Sequence, residues 1–246
     1  MESLINTIEN TCSKIFQNQE IIANNIANAS TTGFKSELES KIILSHNNKN
    51  NLIETKNIYK HYKNNTQGMF KKTNQPLDFA IKNKNSWFVI KLNPKTIAYT
   101  KNGHFKINSN RKLMIQNHAV LGTNGDIVIP NNTEIIISSN GVVSIKKDNE
   151  TNYPIAKLRF KTFNINNLIH DKNGFYLLNK NSKIEKNKEN NANVQLIPGT
   201  LEDSNVNLEE NLINMIENSR KFDTQMKILS MYNENTQLYN KFLNLN

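Results

Sequence analysis

The stretch that decides the architecture is residues 1–35, MESLINTIENTCSKIFQNQEIIANNIANASTTGFK. Mostly apolar side chains recur in it at alternating steps of three and four residues, which places them along one side of a helix in a heptad-like pattern. We call these positions the N-terminal stripe: Ile5, Ile8, Cys12, Ile15, Gln19, Ile22, Ile26 and Ala29. No Gly or Pro interrupts the pattern before Gly33, which adopts positive φ at little cost and therefore marks the break after the predicted helix.

The C-terminal end of the chain repeats this spacing in a second set of positions. We call them the C-terminal stripe: Leu208, Leu212, Met215, Ser219, Phe222, Met226 and Leu229. Asn207 is the predicted N-cap, and Glu209 and Glu210 fall in the first turn, where the helix dipole favours negative charge. Packing of each stripe on its own domain is the common arrangement for an amphipathic helix. Two such helices at opposite ends of a β-rich chain instead favour contact with each other or with the ends of other copies.

Between the two helices the pattern changes to period two. The run Trp87–Ile90 is apolar, and Ala156, Leu158 and Phe160 alternate with basic residues, as in a half-buried strand. Asn-Gly, the dipeptide that best fits a tight hairpin turn, occurs at residues 102, 124, 140 and 173. Further strands are predicted at residues 96–100, 104–107, 112–115, 126–129, 134–138, 142–145 and 175–178.

These patterns predict an α+β fold in which the N- and C-terminal α-helices pair as a coiled-coil-like domain beside a central antiparallel β domain. Residues 36–67 are polar with scattered apolar positions, and either an extended hairpin or a flexible connector fits them. Residues 182–193 are predicted to be an exposed loop. The predicted division is an N-terminal assembly helix, a connector, the β domain and a C-terminal assembly helix, at residues 1–35, 36–67, 68–200 and 201–246.

Composition and charge exclude several classes of function. The formal net charge is +10, but only 3 of the 31 basic residues are Arg. The basic residues are spread along the chain. Sites for phosphate favour Arg, whose planar fork binds it in a bidentate way, so a nucleic-acid-binding protein is only an alternative. Cys12 is the single cysteine, so an intrachain disulfide is ruled out. Because Cys12 lies on the N-terminal stripe, we expect it to act as a small hydrophobic residue rather than as a nucleophile. The first residues lack the pattern of a secretory signal peptide, and no run of about 18 apolar residues predicts a membrane span.

The sequence also lacks the residue patterns of catalysis. None of the five histidines lies within four residues of another, and the common nucleotide-binding and hydrolase motifs are missing. Asp78 is an isolated acid for which a turn-capping role through nearby backbone amides is expected. We therefore predict no enzyme activity, no cofactor, no metal and no small-molecule substrate.

One segment is specific enough to carry a resemblance. Residues 23–35, ANNIANASTTGFK, resemble the N-terminal signature of the flagellar rod and hook protein family, although the usual form has Pro where Thr32 stands. The signature positions are Asn24, Asn25, Asn28, Ser30, Thr31, Gly33 and Phe34. Other segments similar to the family are Gln67-Gly68, residues 74–81, residues 98–105 and residues 199–207. Within the family, residues 220–230 and 241–246 are most similar to proximal rod subunits, with distal rod subunits as the alternative.

The resemblance implies a structural role. Members of the family leave the cell unfolded through the flagellar type III export apparatus, without a cleaved signal, and reach the rod in the periplasmic space. They stack helically with copies of themselves and with other rod proteins, the paired terminal helices forming an inner tube and the β domain lying outside. The implied assembly interface is formed by Ile5, Ile8, Ile15, Ile22, Ile26, Leu208, Leu212, Met215, Phe222, Met226 and Leu229.

Overall fold

The computed structural model describes residues 2–47, 53–131, 133–146, 152–171, 174–179 and 194–243. Two long helices, α1 (Glu2–Ala27) and α2 (Leu208–Leu243), stand at the two ends of the chain. The strands between them are β1 Glu37–Asn47, β2 Ile53–Lys63, β3 Phe70–Lys72, β4 Phe79–Ile81, β5 Ser86–Asn93, β6 Thr96–Thr100, β7 Phe105–Ile107, β8 Leu113–Ile115, β9 His118–Gly122, β10 Gly125–Asp126, β11 Glu134–Ile137, β12 Val142–Lys146, β13 Asn152–Lys157, β14 Phe160–Thr162, β15 Leu168–His170, β16 Tyr176–Leu178, β17 Leu196–Pro198 and β18 Thr200–Glu202. The predicted α+β class, with a helix at each end and antiparallel strands between, is confirmed.

The chain forms two compact units. The helical unit comprises Met1–Ala29, Glu37–His61 and Val206–Asn246, and the β unit comprises Ser30–Ser36 and Tyr62–Asn205. Each unit is therefore assembled from segments that are distant in sequence. Within the described residues, neither helix is long and apolar enough to cross a membrane.

The helical unit contains both terminal helices, β1 and most of β2, which pairs with β1 in a two-stranded sheet. Contacts pair early residues of α2 with late residues of α1, so the two helices run antiparallel: Asn211 bonds Asn25, whereas Phe222 stacks on Phe16. The predicted N-cap of α2 is confirmed, because the Glu210 amide donates a hydrogen bond to the Asn207 side-chain oxygen at 3.2 Å.

The β unit is built on one large antiparallel sheet with strand order β15-β16-β6-β5-β9-β8-β7, to which β10 and β14 add by pairing with β9 and β5. A second sheet has the order β11-β12-β13, and β17 and β18 pair with β4 and β3. Strands β17 and β18 thus bring the chain back to pair with strands that it left more than a hundred residues earlier.

The run Trp87–Ile90 in β5 is continuous rather than alternating because both faces of this strand are covered. Phe88 and Ile90 lie in the larger hydrophobic core, and Trp87 and Val89 lie in a second one. Phe88 meets Phe105 edge-on with ring centres 5.2 Å apart, a favourable aromatic geometry. A strand buried on both sides is expected to lose the period-two pattern.

Several local predictions were wrong in detail. The predicted strand through Leu158 is interrupted there, because Leu158 makes only a single bridge to Gly122 between β13 and β14. Lys161, expected to face solvent, is buried in β14. The strand predicted at residues 126–129 is reduced to β10 and one bridge at Val128. Strands absent from the prediction are β3, β4, β9, β15, β17 and β18, most of which have only three residues.

The Asn-Gly turns divide into two kinds. Those at residues 124–125 and 140–141 close the hairpins β9–β10 and β11–β12, as predicted. Asn102-Gly103 does not, because β6 and β7 are not neighbours in the sheet. A Cβ at Gly103 would stand 1.6 Å from the Phe79 carbonyl oxygen, so glycine is required there by close packing. Asn173 and the predicted loop at residues 182–193 lie outside the described residues.

Candidate assembly surfaces and the signature segment

The N-terminal stripe forms the covered side of α1. Ile8 and Ile22 are buried, and Cys12, Ile15, Gln19, Ile26 and Ala29 are half-buried, whereas Ile5 is 43% exposed. Sequence spacing therefore located the inward face of α1 correctly. Whether the same side chains contact other subunits stays a prediction.

The covered side of α2 differs from the predicted one. We call it the inner face of α2, and it consists of the positions that are buried or half-buried: Asn211, Met215, Asn218, Phe222, Gln225, Leu229, Tyr232 and Thr236. The C-terminal stripe shares only Met215, Phe222 and Leu229 with it. Its other members are exposed: Leu208, Leu212, Ser219 and Met226. Three of these four follow directly after an inner-face residue, so the predicted face is rotated by about one residue, roughly 100°.

Polar side chains lie on the inner face because α1 supplies hydrogen-bond partners for them. The buried Asn218 side-chain amide donates to the Ile15 carbonyl at 2.8 Å and to the Gln19 side-chain oxygen at 2.7 Å. About two helical turns from Asn218, the Asn25 side-chain amide donates to the Asn211 side-chain oxygen at 3.3 Å. Burying a side-chain amide costs little free energy when its hydrogen bonds are made. Between two paired helices, such amides favour one register of the pair over others.

Rotation of α2 leaves a set of large apolar side chains exposed in the helical unit. We call them the outer apolar residues: Leu208, Leu212, Ile213, Ile216, Met226, Ile228, Met231, Leu238 and Tyr239. On α1, Phe16 is 60% exposed although its ring centre lies 5.1 Å from that of Phe222. Single exposed apolar residues are ordinary, but so many on one helix are typical of a surface that contacts another protein.

The signature segment begins at the end of α1, where asparagines replace backbone partners. Asn25 is buried, and its side chain donates to the Glu37 carbonyl at 2.8 Å and accepts from the Glu37 amide at 2.9 Å. A side-chain amide carries a donor on its nitrogen and an acceptor on its oxygen, as this exchange needs. Asn28 donates to the Asn24 carbonyl at 2.9 Å and closes the last turn of the helix.

The second half of the signature enters the β unit. Gly33 has φ +74°, and its amide donates to the Glu202 carbonyl at 2.7 Å. A Cβ on Gly33 would stand 2.6 Å from the Lys101 carbonyl carbon, so the position needs glycine for both conformation and space. Phe34 is buried, the Thr31 carbonyl accepts a hydrogen bond from the Phe34 amide at 3.2 Å, and Ser30 is exposed.

A buried charged cluster includes Lys35, the last residue of the signature segment, and was not anticipated from the sequence. The Lys35 ammonium contacts Glu202 Oε1 at 2.5 Å and the Thr66 carbonyl at 2.8 Å. Lys101 donates to the Asn83 carbonyl at 2.9 Å. Burial lowers the pKa of Lys101 to about 7 and also lowers the pKa of Lys35, against the opposing attraction of Glu202.

One signal in the sequence could have pointed to this cluster. Lys35, Lys101 and Glu202 each lie inside a different segment that resembles the rod and hook family. Segments that resemble one family and are far apart in sequence often meet in the fold, and here they do. No role was assigned to these three residues from the sequence.

The expected role of Asp78 was wrong. Its carboxylate accepts a hydrogen bond from the Thr73 hydroxyl at 2.6 Å and lies 2.5 Å from His104 Nδ1, rather than capping backbone amides. Among the described residues, His, Cys, Asp and Glu side chains form no group of three or more that could hold a metal ion.

Comparison with known proteins identifies both ends and the middle of the chain. Residues 5–35 match the flagella basal body rod protein family, residues 80–145 match the D1 domain of the flagellar hook protein FlgE/F/G family, and residues 197–241 match the C-terminal family of the flagellar basal body rod proteins FlgE, FlgF and FlgG. The first of these matches contains the signature, and the last contains most of α2.

Full-length relatives separate the two kinds of rod subunit. The chain is 59% identical to the flagellar basal-body rod protein FlgF of Buchnera aphidicola subsp. Baizongia pistaciae over the whole of both chains. It is 28% identical to FlgF of Salmonella typhimurium, again over the whole of both chains. The flagellar basal-body rod protein FlgG of Buchnera aphidicola subsp. Acyrthosiphon pisum is 30% identical over 87% of this chain and 89% of its own. The FlgG alternative is therefore weaker, and the chain belongs to the flagellar basal-body rod protein FlgF family.

Proposed function

We propose that the chain is a structural subunit of the bacterial flagellar basal-body rod, in its proximal part, and not an enzyme. The full-length similarity to FlgF proteins supports the rod assignment. The proposal includes no cofactor, no metal, no small-molecule substrate and no nucleic acid, because the Lys-rich charge of the chain is not focused in any motif for phosphate. The partners are copies of the chain itself and other rod proteins.

The terminal helices are the proposed assembly surfaces, paired as a coiled-coil-like domain. The observation that carries this proposal is the difference in burial between the two sides of α2. Its inner face, rich in amides, is covered within the chain, whereas the outer apolar residues are exposed. Burying such side chains between subunits would stabilise an assembly by about 25 cal/mol for each Å² removed from water. A head-to-tail contact that does not close on itself builds a helical filament, as a rod requires.

Further parts of the proposal concern delivery and organisation. The chain is proposed to leave the cell through the flagellar type III export apparatus, without a cleaved signal, and to act in the periplasmic part of the basal body. Its terminal segments, residues 1–35 and 201–246, are proposed as assembly segments that flank a connector at residues 36–67 and a β domain at residues 68–200. The stacked subunits would form both a drive shaft and a channel.

The assembly surface is tested by placing a charge among the outer apolar residues. Ile216 and Met231 are both more than half exposed, so Ile216→Asp and Met231→Asp leave the folded chain intact. In an apolar contact between subunits, each carboxylate would be desolvated without a partner at a cost of several kcal/mol. We expect tagged variants to be lost from purified basal bodies, while Ser230→Asp, a matched charge at an exposed neighbour on the same helix, is retained.

Two failures of this experiment have different meanings. If the unchanged tagged chain is absent from basal bodies that contain the other rod proteins, the rod assignment is wrong. If the unchanged chain is present and both Asp variants reach normal occupancy, the rod assignment stands and the outer apolar residues are not the assembly surface.

A further inference from the structure

Three charged side chains are buried together in the β unit, and the proposed rod function does not use them. Lys35 and Glu202 have side-chain exposures of 1% and 0%, and Lys101 is equally inaccessible. Burying a charge costs several kcal/mol unless it is paired and hydrogen-bonded. Lys35 has the Glu202 carboxylate. Among the residues that the structure describes, Lys101 has only the Asn83 carbonyl and the face of Trp87, whose ring centre lies 5.3 Å from the Lys101 nitrogen.

These residues come from three places in the chain that pack together around Gly33, which lies against the Lys101 backbone and donates its amide to the Glu202 carbonyl. Lys35 lies in the segment that follows α1, Glu202 ends β18 in the segment that precedes α2, and Lys101 follows β6 of the large sheet. The first two segments are also joined by main-chain and side-chain hydrogen bonds. The Gly33 amide donates to the Glu202 carbonyl at 2.7 Å, and the Ser36 amide donates to the Asn205 side chain at 2.7 Å.

The charges in this cluster do not balance when every group is ionised. The Glu202 carboxylate is paired with Lys35, and its Oε1 also accepts from the Gly68 amide, whereas the Lys101 ammonium lies on the Asn83 carbonyl and the Trp87 ring. The charged groups that act on the two lysines are Glu202, the lysines themselves and Lys84. With Lys101 neutral, the cluster is one ion pair, and with Lys101 protonated, it holds one excess positive charge away from water.

We propose that Lys35, Lys101 and Glu202 form a charge clasp that fastens the segment after α1 to the segment before α2, and that the clasp loosens when Lys101 gains a proton. The clasp belongs to the folded chain by itself, so its test needs no rod. Lys35 and Glu202 act as positioning residues for the two segments from which the terminal helices extend.

The direction of the pH effect follows from proton binding. The pKa of Lys101 is lowered by burial to about 7 in the folded chain, against 10.5 for an ordinary lysine. Between these two values the unfolded chain binds more protons than the folded chain, so stability rises with pH. The free energy of unfolding that is gained by keeping Lys101 neutral is fully present above pH 10.5, and it is lost as pH falls to about 7.

Urea unfolding of the full chain between pH 6 and 9.5, followed by the fluorescence of Trp87, the single tryptophan, tests the clasp. In the unchanged chain the folding equilibrium constant should rise by up to about tenfold per pH unit above pH 7. Lys101→Met should remove most of this rise. Lys106→Met, at an exposed lysine in β7, should keep it. An equal rise in Lys101→Met and in the unchanged chain would overturn the proposal.

A local measurement on the unchanged chain decides the matter if Lys101→Met does not fold. Hydrogen exchange of the Gly33 and Asn205 amides reports the joined segments, and exchange at Val89 and Tyr99, paired between β5 and β6, reports the sheet. After correction for intrinsic exchange, lowering the pH from about 8 to about 6 should reduce protection at Gly33 and Asn205 more than in the sheet. Equal reductions at both places would show that no clasp opens.

Discussion

Asparagine and glycine in the signature segment are needed for intrachain geometry. Asn25 exchanges two hydrogen bonds with the Glu37 backbone, so its amide substitutes for a neighbouring strand at the start of β1. Gly33 places its amide on the Glu202 carbonyl in a conformation that side chains with a Cβ rarely adopt. The signature therefore specifies how the chain leaves α1, in addition to whatever it contributes between subunits.

Replacement of Gly33 separates backbone strain from crowding. Gly33→Ala should destabilise the chain by about 2 kcal/mol more than Gly174→Ala, because overpacking against fixed atoms adds to the cost of positive φ. Both glycines have similar φ values, +74° and +82°, but a Cβ at Gly174 meets nothing within 4 Å. Urea midpoints of the two variants give the difference. Equal losses in the two variants would mean that the Lys101 backbone yields to the added methyl group.

The two faces of α2 illustrate what helix periodicity can and cannot locate. Leu212 and Met226 were predicted to lie on a stripe that contacts α1 or other copies, yet Asn211, Asn218 and Gln225 form the covered side. Periodicity ranks positions by apolar character alone. It therefore does not identify an amide that has a hydrogen-bond partner across the interface. The displaced apolar side chains are exposed in the chain and become available to a neighbouring subunit.

The N-terminal stripe should be required for helix pairing before any assembly takes place. Ile22 is 5% exposed, so Ile22→Asp puts an unpaired carboxylate between the helices at a cost of roughly 3 kcal/mol or more. We expect a large loss of far-ultraviolet helical dichroism with little change in Trp87 fluorescence, because Trp87 lies in the core of the β unit. Gln17→Asp, at an exposed position of α1, serves as the control and should change neither signal. Retention of full helicity in Ile22→Asp would show that the stripe does not hold the helices together.

The whole molecule consists of two units with different kinds of core. The β unit has two aromatic-rich clusters built around β5. The helical unit is held by a helix pair whose inner face alternates apolar residues with amides, and helices in proteins owe most of their stability to packing. Because the apolar residues in this pair are fewer, the helical unit should be the less stable of the two.

Unfolding of the whole chain should therefore proceed in two transitions. In urea at pH 8, helical dichroism should decrease at a lower concentration than Trp87 fluorescence changes, because each probe reports a different unit. The Ile216→Asp chain provides the comparison, since its change is at an exposed position and should move neither midpoint by much. Coincident transitions for the two probes would indicate a single cooperative structure and contradict the division into units.

Local sequence determined the elements whose causes are local. Spacing located α1 and α2, Asn207 located the start of α2, and Asn-Gly located two hairpins, because caps, turns and stripes depend on residues within a few positions of each other. Resemblance of short segments identified the family. Fold class and family were therefore within reach of the sequence.

Tertiary structure decided everything that depends on a partner far along the chain. Three-residue strands such as β17 and β18 form because β4 and β3 pair with them. No local sequence pattern predicts such strands. The inner face of α2 depends on hydrogen-bond partners in α1, and the charges of Lys35, Lys101 and Glu202 are tolerated inside because they meet. Polar groups go wherever their hydrogen bonds and opposite charges are, and only the folded chain fixes those places.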